Sequence, residues 1–275
     1  MKALISVDME GISGIVHSSE TNPERYDYQR GRELMTAEAN AVIAGVLDAE
    51  PTADVLVADA HGTFRNLLPE QLDRRARLVR GKPRALNMLA GLDEETDAAL
   101  FVGYHVRAGE GPGVLAHTMN GEILDVRVTG RSLGEIGLNA AMAGHLGVPV
   151  VLLSGDDAAC AELTELVPAA VTVPVKEALG MAAAVTLHPE EARDRLRRAA
   201  ADAVSRRTEI PPLALTGPLD VEVDLASPHT IDLATLVPGV SRTAGARTVA
   251  FAAPDYGTAY RLILLLAQLA TIRPA

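Results

Sequence analysis

One cysteine, no tryptophan and 3% aromatic residues deny this 275-residue chain several familiar kinds of site. With Cys160 alone, a disulfide framework and a cysteine-based zinc centre are both excluded. Lysine and arginine are outnumbered by aspartate and glutamate, 25 to 36, for a net charge of -11. That balance argues against nucleic acid as a partner, because phosphate binding needs clustered basic residues. The basic stretch from Arg74 to Arg84 reads as a solvated face. The most apolar late segment, Leu262 to Ile272, is too short to span a bilayer and is broken by Gln268. With no leader-like segment before the first strand, the expectation is a cytoplasmic protein with no membrane partner. Neither glycine-rich nucleotide fingerprint occurs.

What the chain does have is small aliphatic residues in alternating strand and helix patterns. Ala3 to Val7 is a short apolar run, read as a buried strand. Tyr28 to Leu47 has helical spacing, with Leu34, Ala37, Ala41, Val42 and Ala44 on one face. Asp54 to Ala58 is a second strand, so the chain has made a parallel crossover. Further strands are expected near Leu78, at Ala98 to Gly103, Ile123 to Val128 and Val148 to Leu153. Beyond about Pro168 the order weakens. Val171 to Val175, Asp220 to Leu225 and Thr248 to Ala253 read as strands, and His188 to Arg206, Ile231 to Leu236 and Tyr256 to Ile272 as helices. The expected fold class is α/β, a mostly parallel sheet flanked by helices with a second, smaller α/β lobe. The division is placed at 1–165 and 166–275, with one integrated domain as the alternative.

The chemistry gathers where strands end. Asp8 and Glu10 leave the first strand two residues apart, pointing the same way, and Gly11 and Gly14 let the chain turn over them. Carboxylates that close repel one another unless a positive charge such as a metal ion lies between them; an acidic strand end running into a loop is the alternative on this stretch alone. Asp59 and His61 follow the second strand, and His105 follows the strand at Ala98. In an open α/β sheet such strand ends lie along one edge, where ligands bind. Asp8, Glu10, His61 and His105 would then meet in one crevice. His117, beyond a Gly-Pro-Gly loop, is either a base or a surface residue, and His17 could line the cleft. Ser132 and Glu135 have capping-box spacing, which makes Glu135 a helix cap on this reading. Asp156 and Asp157 follow another strand end, as partners of the site or as a helix cap.

An ordered set of motifs carries a resemblance over nearly the whole chain. SVDMEGISG at 6–14, DAHG at 59–62, GYH at 103–105, PGVLAHTM at 112–119, GEIGLNA at 134–140 and SGDD at 154–157 together resemble the DppA family of D-aminopeptidases, which are zinc metallopeptidases. The resemblance implies two zinc ions per subunit. Asp8 would bridge them, with Glu10 and His105 on one ion and His61 and Glu135 on the other, so that Glu135 becomes a ligand instead of a cap. It implies His117 as the catalytic histidine and a short peptide with an amino-terminal D-residue as substrate. It also implies a homodecamer of stacked pentameric rings. Another two-metal hydrolase, a phosphoesterase or cyclic amidase, is the alternative enzyme. Arg107, close to His105, sustains the phosphoesterase reading. A non-catalytic metal-binding protein is the alternative from another class.

Overall fold

The computed structural model describes residues 1–243, 245 and 247–272. In chain order it begins β1 (Lys2–Val7), α1 (Ser18–Thr21), α2 (Tyr28–Ala49), β2 (Asp54–Asp59), β3 (Arg77–Val79) and β4 (Ala98–Val102). The middle contains β5 (Ile123–Val128), β6 (Arg131–Ser132), α3 (Glu135–His145), β7 (Val150–Asp156) and α4 (Asp157–Leu166). The last part holds β8 (Val171–Gly180), β9 (Ala183–Thr186), α5 (Pro189–Ser205), β10 (Leu219–Leu225), α6 (Pro228–Ala234), β11 (Ser241–Arg242), β12 (Thr248–Ala253) and α7 (Tyr256–Leu269).

Seven strands form one sheet in the order β3-β2-β1-β4-β7-β8-β9, parallel throughout except for β9. From β1 the chain winds outward through β2 to β3, then returns to β4 on the other side and winds outward again. Right-handed crossovers in opposite directions place helices on opposite faces. Accordingly, α2 and α5 pack together on one face, and α3 and α4 cover the other. β4 and β7 are buried at every residue, as strands covered on both faces must be, which explains the apolar run of β4 and of β7 from Val150 to Leu153. On α2, Leu34, Met35, Ala39, Val42, Ile43 and Val46 form the buried stripe.

The smaller sheet is antiparallel, in the order β11-β12-β10-β5-β6. β10 alternates buried and partly exposed residues, the pattern of a strand with one dry face. Its make-up corrects the expected division at residue 165. β5, from before that point, pairs with β10 and carries β6 on its other edge, while β8 and β9, from after it, belong to the large sheet. A second correction concerns β8. It runs past Val175 to Gly180 and turns back as β9, a hairpin whose tip exposes Leu179, Met181 and Val185. Among the described residues no helix is long and apolar enough to cross a membrane.

The place where the winding reverses is the gap between β1 and β4. In such sheets the crevice at that reversal, beyond the carboxyl ends of the strands, is where ligands bind. Here it is made tight by glycine. A Cβ on Gly11 would sit 2.0 Å from the Tyr104 carbonyl oxygen. A Cβ on Gly103, at φ +68°, would sit 2.5 Å from the Asp8 carbonyl oxygen. The amide of Gly11 donates to the Gly103 carbonyl at 2.7 Å, so the loops after β1 and β4 are joined at those two glycines.

Candidate metal centre

The reversal point brings together Asp8 from the end of β1, Glu10 from the turn beyond it, His61 after β2, His105 after β4 and Glu135 at the start of α3. Asp8 (2% exposed), Glu10 (5%), His105 (1%) and Glu135 (5%) are almost completely buried. His61 Nδ1 lies 2.9 Å from Glu10 Oε2 and 3.3 Å from Asp8 Oδ1. His105 Nε2 lies 3.5 Å from Asp8 Oδ2 and 3.4 Å from Glu135 Oε1. Asp8 therefore turns one oxygen to each histidine. His117 stacks on His105 with ring centroids 4.0 Å apart, and its Nε2 is 3.7 Å from Glu135 Oε1.

Each of the three histidines is held by a backbone carbonyl through its other ring nitrogen. His61 Nε2 donates to Thr21 O at 3.0 Å, His105 Nδ1 to Val106 O at 3.1 Å and His117 Nδ1 to Leu115 O at 2.8 Å. With one nitrogen carrying its proton toward a carbonyl, the other presents a lone pair toward the carboxylates. Lone pair against carboxylate is repulsive unless a cation lies between them. His105 Nε2 is buried and has no hydrogen-bond partner.

Protons show the same demand for positive charge. Burial, reinforced by the Glu10 charge, pushes Asp8 up to about 7. Glu10 goes the other way: the charge and hydrogen bond of His61 overcome burial and hold it well below its usual range. Against the cost of burial, the Glu135 carboxylate raises His105 to about 10. Three buried carboxylates with no lysine or arginine side chain among them thus recruit protons onto imidazoles. A divalent cation satisfies that demand and displaces those protons. The donor set, carboxylate and imidazole without thiolate, suits zinc. Two groups of donor atoms lie within 4.8 Å of one another, Asp8 with Glu10 and His105, and His105 with His117 and Glu135. The residues fit a metal centre.

The surrounding loops are held by Asp59 and Asp156, both noted at strand ends in the sequence, and by Lys176, which the sequence reading passed over. Asp59 accepts from the amides of Asn66 and Leu67 at 2.6 and 2.8 Å, and Asn66 Nδ2 donates to the His61 carbonyl. Asp59 thus braces the His61 loop from behind. Asp156 caps α4 through Ala159 N and also accepts from Val114 N at 2.8 Å, which ties down the approach to His117. Lys176, buried in β8, donates all three of its protons to backbone carbonyls of the metal loop, those of Glu10, Ile12 (3.0 Å) and Ile15 (2.6 Å). The residues with positive φ other than glycine concentrate here as well: Phe64 (57°), Asn87 (49°) and Met119 (61°) line the cleft, and Leu115 (52°) holds His117. Such backbone costs on the order of 1–3 kcal/mol per residue and persists only where its surroundings enforce it.

Four expectations change. Glu135 is not a helix cap. α3 begins at Glu135 itself with Gly134 before it, while the Ser132 hydroxyl donates to Asp125, and Glu135 Oε1 accepts from Met119 N at 2.7 Å. His17 lies outside the cleft, where it caps α1. Arg84 is not on a solvated face; its guanidinium sits 4.0 Å from the Phe64 ring centroid and donates to the carbonyls of Asp59 and Asn87. Arg107 lines a different cavity, with Glu162 and Glu165, and pairs with Glu110, so it offers the metal cluster no phosphate clamp.

Over the cluster lies a cavity of about 430 Å³, walled by Phe64, Lys82, Asn87, Met119, Asn120 and Gln268 together with the site residues. The sequence profile of the D-aminopeptidase family Peptidase_M55 matches residues 1–265. A D-aminopeptidase of Bacillus subtilis (strain 168) is 37% identical over 270 residues, covering 98% of both chains. A solved structure described as "Zn-dependent D-aminopeptidase DppA from Bacillus subtilis, a self-compartmentalizing protease" superposes with a TM-score of 0.96 at 36% identity over 100% of each chain. The chain belongs to the D-aminopeptidase family of peptide-bond hydrolases.

Proposed function

We propose that this protein is a zinc-dependent aminopeptidase that hydrolyses short peptides beginning with a D-amino acid, through a dinuclear centre. Asp8 would bridge the ions, with Glu10 and His105 holding one and His61 and Glu135 the other. The observation that carries a metal here is the orphaned Nε2 of buried His105, aimed between Asp8 and Glu135, and the donor atoms of Asp8, Glu10 and His105 lie within 4.8 Å of one another, which suits the first ion. The two Asp8 oxygens, each facing a different histidine, suit a bridge.

Bound there, the metal supplies a Lewis acid for the scissile carbonyl and a water acidified toward neutral pH. The rest falls to side chains. His117 keeps its proton on Nδ1 against the Leu115 carbonyl, so Nε2 is free to accept a proton from the attacking water and return it to the leaving amine. Glu135, 3.7 Å away, steadies the imidazolium formed in between. His117 is the least buried of these groups, with 28% of its side chain exposed, as a residue that meets substrate must be. His117→Ala is expected to keep its zinc and lose about 10²- to 10⁴-fold in kcat. Metal analysis beside turnover checks this, and unchanged turnover would favour a metal-binding protein without catalysis.

The reading as a whole is tested with D-alanyl and L-alanyl chromogenic amides, on zinc-loaded and chelator-stripped protein. Cleavage of the D form alone, lost on stripping and regained with zinc, is the expected result. Metal binding without cleavage of either amide would sink it. We further propose assembly into a closed oligomer, two stacked pentameric rings. The relative is described as self-compartmentalizing, and the exposed apolar tip of the β8–β9 hairpin suits burial against a second copy.

A further inference from the structure

β8 reaches both halves of the site. Near its middle, Lys176 draws the metal loop to one point. Farther along, in the turn between β8 and β9, the Met181 carbonyl accepts from the Leu115 amide at 2.8 Å. The Leu115 carbonyl in turn accepts the Nδ1 proton of His117, also at 2.8 Å. A single residue, Leu115, thus stands between the hairpin tip and the imidazole.

Leu115 has to be held where it is. Its φ of 52° lies in the left-handed region, which a residue with a Cβ enters only at a cost. Two hydrogen bonds keep the backbone there. Val114 N donates to Asp156 Oδ2 at 2.8 Å, a contact between two buried residues. The other partner is the Met181 carbonyl, and it belongs to a tip open to solvent, with Leu179 63% and Met181 58% exposed. The hairpin is fastened in its turn by Asp157, whose Oδ1 accepts from Ala178 N at 2.8 Å. Asp156 and Asp157, adjacent where β7 passes into α4, therefore grip the two sides of one contact, the His117 loop and the hairpin. The effect falls on the imidazole. The bond at Nδ1 sets which nitrogen is bare and where it points, and a base works only within hydrogen-bond reach of its proton.

We infer that the β8–β9 hairpin positions His117: the Met181 carbonyl fixes Leu115, and Leu115 fixes the direction in which the imidazole Nε2 meets the substrate. This rests on the aminopeptidase reading above. Met181 and Asp157 are then positioning residues, and neither lines the cavity over the metal cluster.

The test shortens the hairpin. An Asn-Gly turn in place of Leu179 to Ala183 joins Ala178 to Ala184, already a cross-strand pair, and removes the Met181 carbonyl. On zinc-loaded protein with a D-alanyl chromogenic amide, kcat should fall by about 10- to 100-fold, with KM and zinc content unchanged. Leu179→Ser alters the exposed tip, leaves that carbonyl in place and should keep the wild-type kcat. The deciding measurement is a double-mutant cycle. In a His117→Ala background the shortened hairpin should cost nothing further, because nothing is left to position. Asp157→Ala, which loosens the hairpin at full length, carries the same cycle should the shortened chain not fold. An equal further loss in the His117→Ala background, or loss of zinc, would make the hairpin a general support and overturn the inference. Wild-type kcat in the hairpin variant would overturn it as well, and so would an equal loss in Leu179→Ser, which would move the effect to the apolar tip. Should wild type leave the amide uncut, the aminopeptidase reading itself fails, and that control tells the two failures apart.

Discussion

Asp8→Asn is expected to abolish turnover, with kcat/KM down by about 10³-fold or more, while making the metal-free protein no less stable than wild type. A loss of about 4 kcal/mol in transition-state stabilisation corresponds to that factor, and the loss of a bridging ligand removes several kcal/mol of charge stabilisation. The stability half of the expectation comes from burial. Asp8 is buried beside Glu10 and Glu135, and this pushes its carboxyl up to about 7, so near neutrality its charge is a cost to the folded metal-free chain. An amide of the same shape removes that charge. Zinc should then raise the melting temperature of wild type, as any ligand selective for the folded state does, and raise that of the variant far less. The check is a pair of thermal melts, each with zinc and with chelator. A variant that melts lower even when stripped would mean Asp8 is a structural residue, and the bridge would have to be given up.

The second large effect is expected at Lys176. Replacing it with methionine keeps most of the buried volume and removes three donors at once, leaving the carbonyls of Glu10 and Ile15 unsatisfied and that of Ile12 with the Ile15 amide alone. One buried acceptor left without a partner costs about 1–3 kcal/mol, and relaxation of the loop recovers part of the total. For a chain of this size, a net loss of about 3 kcal/mol lowers the melting temperature by roughly 5–10 °C. The stretch released carries Glu10, so zinc affinity should fall as well, although Lys176 touches no metal-ligand side chain. Calorimetry and zinc titration on the same samples decide it. Normal zinc affinity in a destabilised variant would show that the loop keeps its shape without the clamp.

The elements that were legible in the sequence are those whose pattern is local. β1, β2, β4 and β12 follow from short apolar runs, and α2 from its 3.6-residue stripe. The parallel crossover could be inferred from strand-helix-strand order, and with it the convergence of Asp8, His61 and His105 on one edge. Glu135 was not legible from its own surroundings, because Ser132 three residues earlier has the spacing of a cap. What decides its role is Met119, sixteen positions away, whose amide takes the Glu135 oxygen. The same holds for β8 and β5: which sheet a strand joins depends on partners distant in sequence, and a lobe boundary drawn from rhythm alone cut through the large sheet. Lys176 is the extreme case. It answers no acidic side chain at a helical or strand spacing, because its partners are carbonyls that every residue carries.

Those carbonyls give the site a place in time. Glu10 and Lys176 are 166 residues apart, so at ordinary rates of synthesis the metal loop leaves the ribosome roughly 10–30 s before the lysine that orders it. The earliest-made part of the centre thus waits for a contact supplied late in the chain. Until β8 docks, the carbonyls of Glu10, Ile12 and Ile15 lack the ammonium that draws them to one point.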